Sequence, residues 1–452
     1  MKNVCTLIAC LVMIQGLVAQ GFEQICPGTN PDDFVVDFAY YQDTLYATGF
    51  FQQICDSSIR HIAKWQDNEW QKASFNLPNP GHSLQEINGK LYITGYEFNA
   101  DSNWVYVFDG NSLEKLGSAV STAGSSLFPN IYDIIEYQGN LVACGEFNRV
   151  GSDTVAGIMQ WDGTAWGPLG DGLSGSLVSN VTFPHKLLVH NDELYVVGNF
   201  RSAGGMLVDG VAKWDGTTWA NMGAGFNSTV YSIAVFEGSI IVGGTFTRSG
   251  TTWINRIARW DSTGWAPLNF GVTNPVWSLD IFVHTLKEIG GALYIAGSFE
   301  EITYADTSTA MCNNVVAYRA DTLDLLGGGV PNNTMEALAL VGEDTLLVGG
   351  GNFGMGGYTG MRKVIVSPPG PPLSVNSFEP KLRIFPNPFD RFLRIESDQP
   401  ITHYEIRNQT GQLVKEGRHT NNKIEVDLAA GIYYLRVFNQ AGLSSVHKVV
   451  KQ

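Results

Sequence analysis

At 452 residues the chain is too long for one ordinary core, so two or more domains are expected. It has 51 Gly, 11 Trp and only 16% charged residues, a turn-rich and aromatic-rich composition that excludes long helical or disordered tracts. The net charge of −15 is uneven: residues 378–452 hold 11 Lys and Arg against 8 Asp and Glu, a net +3, leaving −18 on the remainder. So acidic a surface repels phosphate backbones and argues against a nucleic-acid partner, and it also serves to keep a domain soluble.

The N-terminus reads as a signal peptide over residues 1–19. Lys2 supplies the positive end, Val4 to Ala19 the apolar segment, and Leu17 and Ala19 suit the small-residue cleavage pattern. Sixteen residues reach about 24 Å as a helix, short of a bilayer core of ~30 Å. Leu7-Ile8-Ala9-Cys10 offers a lipoprotein box as the alternative, although cutting there leaves almost no apolar region. No later stretch is long and apolar enough to span a membrane as a helix. Four cysteines then remain: Cys26, Cys55, Cys144 and Cys312. A Cys26–Cys55 bridge is the preferred pairing, isolated buried thiols the alternative, and the close Cys-x-x-Cys spacing of a zinc site is absent.

One phrase recurs through residues 20–367: an apolar pair, two small or apolar residues, Gly, one residue, Phe. Its glycines are Gly49, Gly95, Gly145, Gly198, Gly244, Gly297 and, in a looser copy, Gly351, spaced by 46, 50, 53, 46, 53 and 54 residues. Phe51, Phe147, Phe200, Phe246, Phe299 and Phe353 keep the Gly-x-Phe ending, and the second copy slips to Phe98. A second phrase follows, with a Trp pair five residues apart at Trp65/Trp70, Trp161/Trp166, Trp214/Trp219 and Trp260/Trp265. Phe108/Leu113 and Tyr318/Leu323 hold the same spacing. Asp162-Gly163 and Asp215-Gly216 mark tight turns, because Gly accepts the positive φ they demand. With a further strand upstream, such as Tyr132 to Tyr137, each unit reads as four antiparallel strands, which is one propeller blade. The Trp pairs are expected to be core between blades.

Seven phrases predict an all-β fold: a seven-bladed β-propeller of four-stranded blades plus a small C-terminal β-sandwich. The seventh unit stops after Lys363 to Val366, so its outermost strand is expected from Phe22 to Cys26, which spares the ring an unpaired edge. Gly198-Asn199-Phe200, Gly204-Gly205 and Val211 to Trp219 carry a resemblance to the kelch-like propellers of exported bacterial proteins. That resemblance specifies a fold rather than an activity.

Pro368-Pro369-Gly370-Pro371-Pro372 opens a stiff linker over 368–377. From 378 to 452 the Trp repeat ends and strands alternate with turns, as in Leu393 to Ile395, Ile401 to Arg407, Ile424 to Val426 and Tyr433 to Phe438. Phe385-Pro386-Asn387-Pro388-Phe389, Tyr404 to Val414, Ala430 to Val437 and Lys448 to Lys451 are similar to the C-terminal sorting domain (type A) of the type IX secretion system of Gram-negative bacteria. The resemblance implies recognition by that machinery and a secreted or outer-membrane-surface location reached through the periplasm.

No catalytic constellation, cofactor motif or metal motif is present. The propeller histidines His61, His82, His185, His190 and His284 are isolated in sequence, with His185 and His190 at odd spacing on one strand. Asp37, Asp133 and Asp280 fall on innermost strands, where solvated channel walls or a cation site are the two readings. The loops after Gly-x-Phe vary most, and they offer Arg149, Arg201, Arg248, Trp253 and Tyr304 for contact with a ligand, with packing of the aromatics under the loop as the equal alternative. Asp43-Thr44-Leu45, Asp153-Thr154-Val155 and Asp344-Thr345-Leu346 resemble a bacterial O-glycosylation sequon. The expected function is a non-enzymatic binding or adhesion module for a protein or glycan. The alternative is a polysaccharide hydrolase or lyase with its site on the propeller face.

Overall fold

The computed structural model describes residues 23–24, most of 34–351, residues 362–365 and most of 383–451. The signal peptide, Cys26, Cys55, Asp280, Phe98, Phe353, Asp344 and the linker lie outside the described residues. Two compact units, Met1–Pro368 and Pro369–Gln452, are built from strands and turns, with no α-helix among the described residues.

The first unit is propeller-like. Its sheets share one construction, in which an inner strand hairpins into the strand ending in Gly-x-Phe, and the third and fourth strands follow outward. The inner strands are Phe34–Tyr41, Gly81–Ile87, Asn130–Tyr137, Phe183–His190, Val230–Phe236, Phe282–Ile289 and Thr334–Val341. Each packs against the next, and Thr334–Val341 packs against Phe34–Tyr41. In the last sheet the fourth strand comes from the start of the chain: Glu23 pairs with Lys363 and Gln24 with Arg362, within the segment expected to supply it.

The recurrent glycine has a steric cause. At Gly49, Gly95, Gly145, Gly198, Gly244 and Gly297 a Cβ would lie 2.1–2.4 Å from a carbonyl oxygen at the start of the inner strand. In the last sheet that position is Gly350, whose Cβ would sit 2.0 Å from the Thr334 oxygen. The register pairs Met335 with Gly350 as it pairs Val35 with Gly49, so the seventh copy ends at Gly350, not Gly351. The run Gly349-Gly350-Gly351 hides that one-residue offset in the sequence.

The apolar core is divided among the gaps between consecutive sheets. One cluster joins Cys144, Ile158 and Leu173 to Val196, Phe200 and Trp219, and another joins Phe38, Leu45 and Trp70 to Ala337 and Leu347 across the first and last sheets. The Trp pairs sit in these gaps. Trp70, Trp166, Trp219 and Trp265 are buried, and their partners Trp65, Trp161 and Trp260 are half-exposed. The Trp161 ring presses on Gly117 of the preceding sheet and the Trp214 ring on Gly170, both at positive φ. Outer turns are fixed by aspartate: Asp162 Oδ1 accepts the N–H groups of Thr164 and Ala165, which lowers the pKa of its carboxyl.

The second unit has two antiparallel sheets. Arg383–Phe385, Phe392–Glu396 and Lys423–Glu425 form one, and Leu413–Arg418, Ile401–Asn408, Gly431–Asn439 and Ser444–Lys451 the other. Leu393, Ile395 and Ile424 from the first share one core with Ile406, Leu435, Val437 and Val449 from the second. Alternate residues of the strand Gly431–Asn439 enter that core, as expected of a strand with one buried face.

Candidate functional site

Each inner strand of the first unit carries a β-bulge near its start. The register skips one residue after Val35, Gly81, Ile131, Pro184, Val230, Val283 and Met335. A bulge re-aims the extra side chain. The residues so displaced are Val36, His82, Tyr132, His185, Tyr231, His284 and Glu336. Five of them form a continuous aromatic collar: His82–Tyr132, Tyr132–His185, His185–Tyr231 and Tyr231–His284 lie 4.9, 5.4, 4.8 and 5.5 Å apart between ring centroids. The His82 Nδ1 sits 2.6 Å from the Tyr132 carbonyl oxygen. Three histidines that look isolated in sequence therefore share one site.

The collar borders a cavity of about 410 Å³ lined by inner-strand residues, with Tyr40, 45% exposed, on its wall. Burial lowers the pKa of His82, takes His185 down to about 3 and His284 to about 4, so all three are neutral at neutral pH. Glu336, 8% exposed, is pushed by burial up to about 8 and stays protonated there.

Asp37 lies on the cavity wall, whereas Asp133 is buried behind it, and both join neighbouring sheets. Asp37 accepts the N–H of Phe38 at 2.8 Å and that of Leu84, in the next inner strand, at 2.9 Å. Asp133 accepts the Ser83 hydroxyl at 2.9 Å, the Leu187 N–H at 2.9 Å and Lys186 Nζ at 3.0 Å. Ser232 takes the equivalent place two sheets on, accepting the Leu286 N–H at 3.0 Å. No group of three or more His, Cys, Asp or Glu side chains suited to a metal occurs among the described residues. Cys144 and Cys312 are buried free thiols, and burial raises the pKa of both. His190 lies apart, beside the Asn191 amide at the far end of its strand, and His61 sits against the Leu77 carbonyl.

A second candidate lies at the Gly-x-Phe ends, where four successive sheets insert a small hairpin. These are Arg149–Val150 with Asp153–Thr154, Ser202–Ala203 with Met206–Leu207, Arg248–Ser249 with Thr252–Trp253, and Glu301–Tyr304 with Thr309–Met311. Each is tied to the preceding sheet: Val150 pairs with Val120, Ala203 with Leu173 and Ile302 with Val272, while Asn227 Oδ1 accepts the N–H groups of Thr247 and Arg248. Arg149, Arg201 and Arg248 are exposed on this face, Arg201 in an ion pair with Asp209 at 3.2 Å. Trp253 is 74% exposed. Tyr304 follows the other of the two readings, because it packs half-buried against the core beneath its hairpin. Leu207 and Met311, 58% and 49% exposed, stand at the strand ends equivalent to Trp253 and were not legible as contact residues. Of the sequon threonines, Thr154 is exposed on its hairpin and Thr44 is half-buried.

Residues 383–452 match the family described as the secretion system C-terminal sorting domain. No curated protein matches the chain. Among solved structures it is similar to PorZ, described as an essential bacterial surface component of the type-IX secretion system of Porphyromonas gingivalis. The identity is 11%, with a TM-score of 0.34, over 90% of this chain and 64% of that one. It is also similar to the computationally designed Ika8 protein (12%, TM-score 0.40, 94% and 100%) and to BamB from Moraxella catarrhalis (9%, TM-score 0.32, 76% and 97%). The chain thus spans 64% of PorZ's length. No helix among the described residues is long and apolar enough to cross a membrane. Residues 383–452 are a type IX secretion sorting domain, which implies recognition by that machinery and delivery outside the cell or to its surface.

Proposed function

We propose that this chain is a non-enzymatic binding protein, secreted or held at the cell surface, that docks a protein partner through the hairpin-bearing face of a closed seven-bladed propeller. In this reading residues 1–19 are the signal peptide for passage through the periplasm, 20–367 the kelch-like propeller, 368–377 the linker and 378–452 the sorting domain. The packing of the first sheet on the last and the Glu23–Lys363 pairing support closure.

One observation carries the binding reading: Leu207, Trp253 and Met311 are exposed at equivalent ends of three successive hairpins. An isolated exposed apolar side chain is ordinary, but three repeated on one face are not. Aliphatic Leu207 and Met311 offer nothing for a sugar hydroxyl to bond, so a protein surface is favoured over a glycan, with Arg149 and Arg248 as polar rim. A polysaccharide hydrolase finds less support. Its acid and base would be Glu336 and Asp37 in the axial cavity, and Asp37 already holds two backbone N–H groups.

The test compares mature wild-type chain with a Leu207→Ser/Trp253→Ser/Met311→Ser variant on a panel of purified extracellular proteins and a glycan array, with reducing-sugar release assayed in parallel. Saturable binding to a protein, lost in the folded variant, is expected. Sugar release, or binding indifferent to the three changes, overturns the proposal.

A further inference from the structure

The axial cavity, separate from the hairpin face, has an imbalance between hydrogen-bond donors and acceptors. Two of its three acids are engaged, since both oxygens of Asp37 accept backbone N–H groups and Glu86, at the exposed rim, accepts the Gly89 N–H; Asp133, behind Lys186, accepts three donors from two other strands. The Ser232 hydroxyl oxygen accepts the Leu286 N–H. The donors are not used up. Lys287 Nζ has three protons and gives one to the Leu338 carbonyl oxygen at 2.9 Å. Lys186 Nζ is held only by Asp133 among the described residues. Glu336 lines the same space, nine-tenths buried, with no hydrogen bond to its carboxyl among the described residues. The His284 Nδ1 is buried without a partner among the described residues.

Groups so arranged call for a ligand that brings acceptors. We propose that the axial cavity binds a small molecule bearing a single carboxylate, anchored by Lys287 and Lys186, with Glu336 and His284 as further donors. Charge-assisted hydrogen bonds to two ammonium groups are the strongest such a wall can make. The volume, about 410 Å³, lies within the usual range for a small-molecule site.

Two other ligand classes fit less well. An aromatic collar beside a carboxyl suits an organic cation in principle. Here, however, the Lys186 charge reaches the collar, adding to the effect of burial in lowering His82 and His284. A dianion such as sulfate meets the opposite objection, because Asp37 and Asp133 offset the two lysines. A monoanion asks for less compensation, which the protons left on Lys287 and Lys186 can give as hydrogen bonds.

The site also predicts how binding depends on pH. Glu336 faces Asp37, Lys287 and His284 on the flanking inner strands, with Tyr96 near enough to feel its charge. Protonated Glu336 donates to a carboxylate and ionised Glu336 repels it, so affinity falls as pH rises through about 8.

Titration calorimetry on the mature chain, with D-glucuronate and L-lactate as probes and D-glucose and inorganic sulfate as controls, tests the proposal. At least one carboxylate should bind saturably at pH 6.5 and neither control should. The Lys287→Met variant should bind about tenfold or more weakly. Should Lys287→Met fail to fold, Glu336→Gln serves instead; it should keep binding at pH 6.5 and lose the decline near pH 8. Equal binding of D-glucose, tighter binding of sulfate, no binding of either carboxylate, an unaffected Lys287→Met or an unchanged pH profile in Glu336→Gln each overturns the assignment. None of these outcomes bears on docking at the hairpin face.

Discussion

Lys186 Nζ lies 3.0 Å from Asp133 Oδ1 across the boundary between two inner strands, and the same carboxylate accepts the Leu187 N–H and the Ser83 hydroxyl. One buried acid thereby ties three consecutive sheets together close to the axis. Asp133→Ala strands the half-buried Lys186 ammonium and the Leu187 N–H together, and breaking such a pair costs about 3–5 kcal/mol. Denaturant unfolding should show a loss of that order. Asp133→Asn, which keeps an acceptor but not the charge, should cost less.

Glu336 gives a pH dependence whose sign can be worked out. Its folded pKa is raised to about 8 from an ordinary 4.5, so the folded state binds more protons between those values. The wild type has the full contribution below pH 4.5 and loses it progressively as pH rises to about 8. Glu336→Gln cannot ionise, so its melting temperature relative to wild type should climb from pH 4.5 to 8 and level off above. A flat difference across that range would show that Glu336 ionises normally.

The histidines act in the opposite direction. His185 and His284 have folded pKa values lowered to about 3 and 4, so below pH 6.5 the unfolded chain binds protons that the folded chain refuses. Stability should therefore fall on acidification from pH 6.5 toward 4. The slope should flatten in His185→Phe, whose ring keeps an aromatic between Tyr132 and Tyr231 but cannot titrate. Thermal unfolding at fixed ionic strength measures both slopes.

The sheets were legible because their strand pattern repeats, and the collar was not because its residue type does not. His82, Tyr132, His185, Tyr231 and His284 each stand 13 residues before their repeat glycine, as does Val36. Aligning on that glycine brings them together, whereas searching for histidines scatters them. Glu336 escapes even this alignment, standing 14 residues before Gly350, because its inner hairpin has three loop residues where Tyr41 to Thr44 has two. Leu207 and Met311 were hidden for another reason. Exposure of an apolar residue depends on whether a hairpin folds over it, as it does over Tyr304 but not over Trp253.

The steric account of the repeat glycine sets it apart from a glycine of an outer strand. A Cβ on Gly198 would meet the Phe183 oxygen at 2.4 Å and the Pro184 Cα at 2.5 Å, both backbone atoms at the bulge. Gly198→Ala must push the inner strand aside, and overpacking of this kind costs about 1–3 kcal/mol. It should also disturb His185, the displaced residue next to Pro184, and so shift its imidazole resonances. Gly167, in an outer strand, has open space around its Cβ position, so Gly167→Ala should change stability by less than about 0.5 kcal/mol.

Two tryptophans in equivalent positions differ in one hydrogen bond, which allows the indole N–H to be weighed against its ring. Trp265 Nε1 donates to the Met222 carbonyl oxygen at 2.9 Å, whereas Trp219 Nε1 is buried without a partner among the described residues. Both rings are buried, and each lies in a tilted pair with centroids 5.1 Å from the neighbouring Trp. Replacement by Phe removes similar ring area at both sites. Trp265→Phe also leaves the Met222 carbonyl without its donor, while Trp219→Phe removes an unsatisfied polar atom. The cost at Trp265 should exceed that at Trp219 by about 1 kcal/mol or more, read from paired denaturation midpoints. Equal costs would mean that the Met222 carbonyl finds water when the indole is gone, and that the second Trp of each pair acts through packing alone.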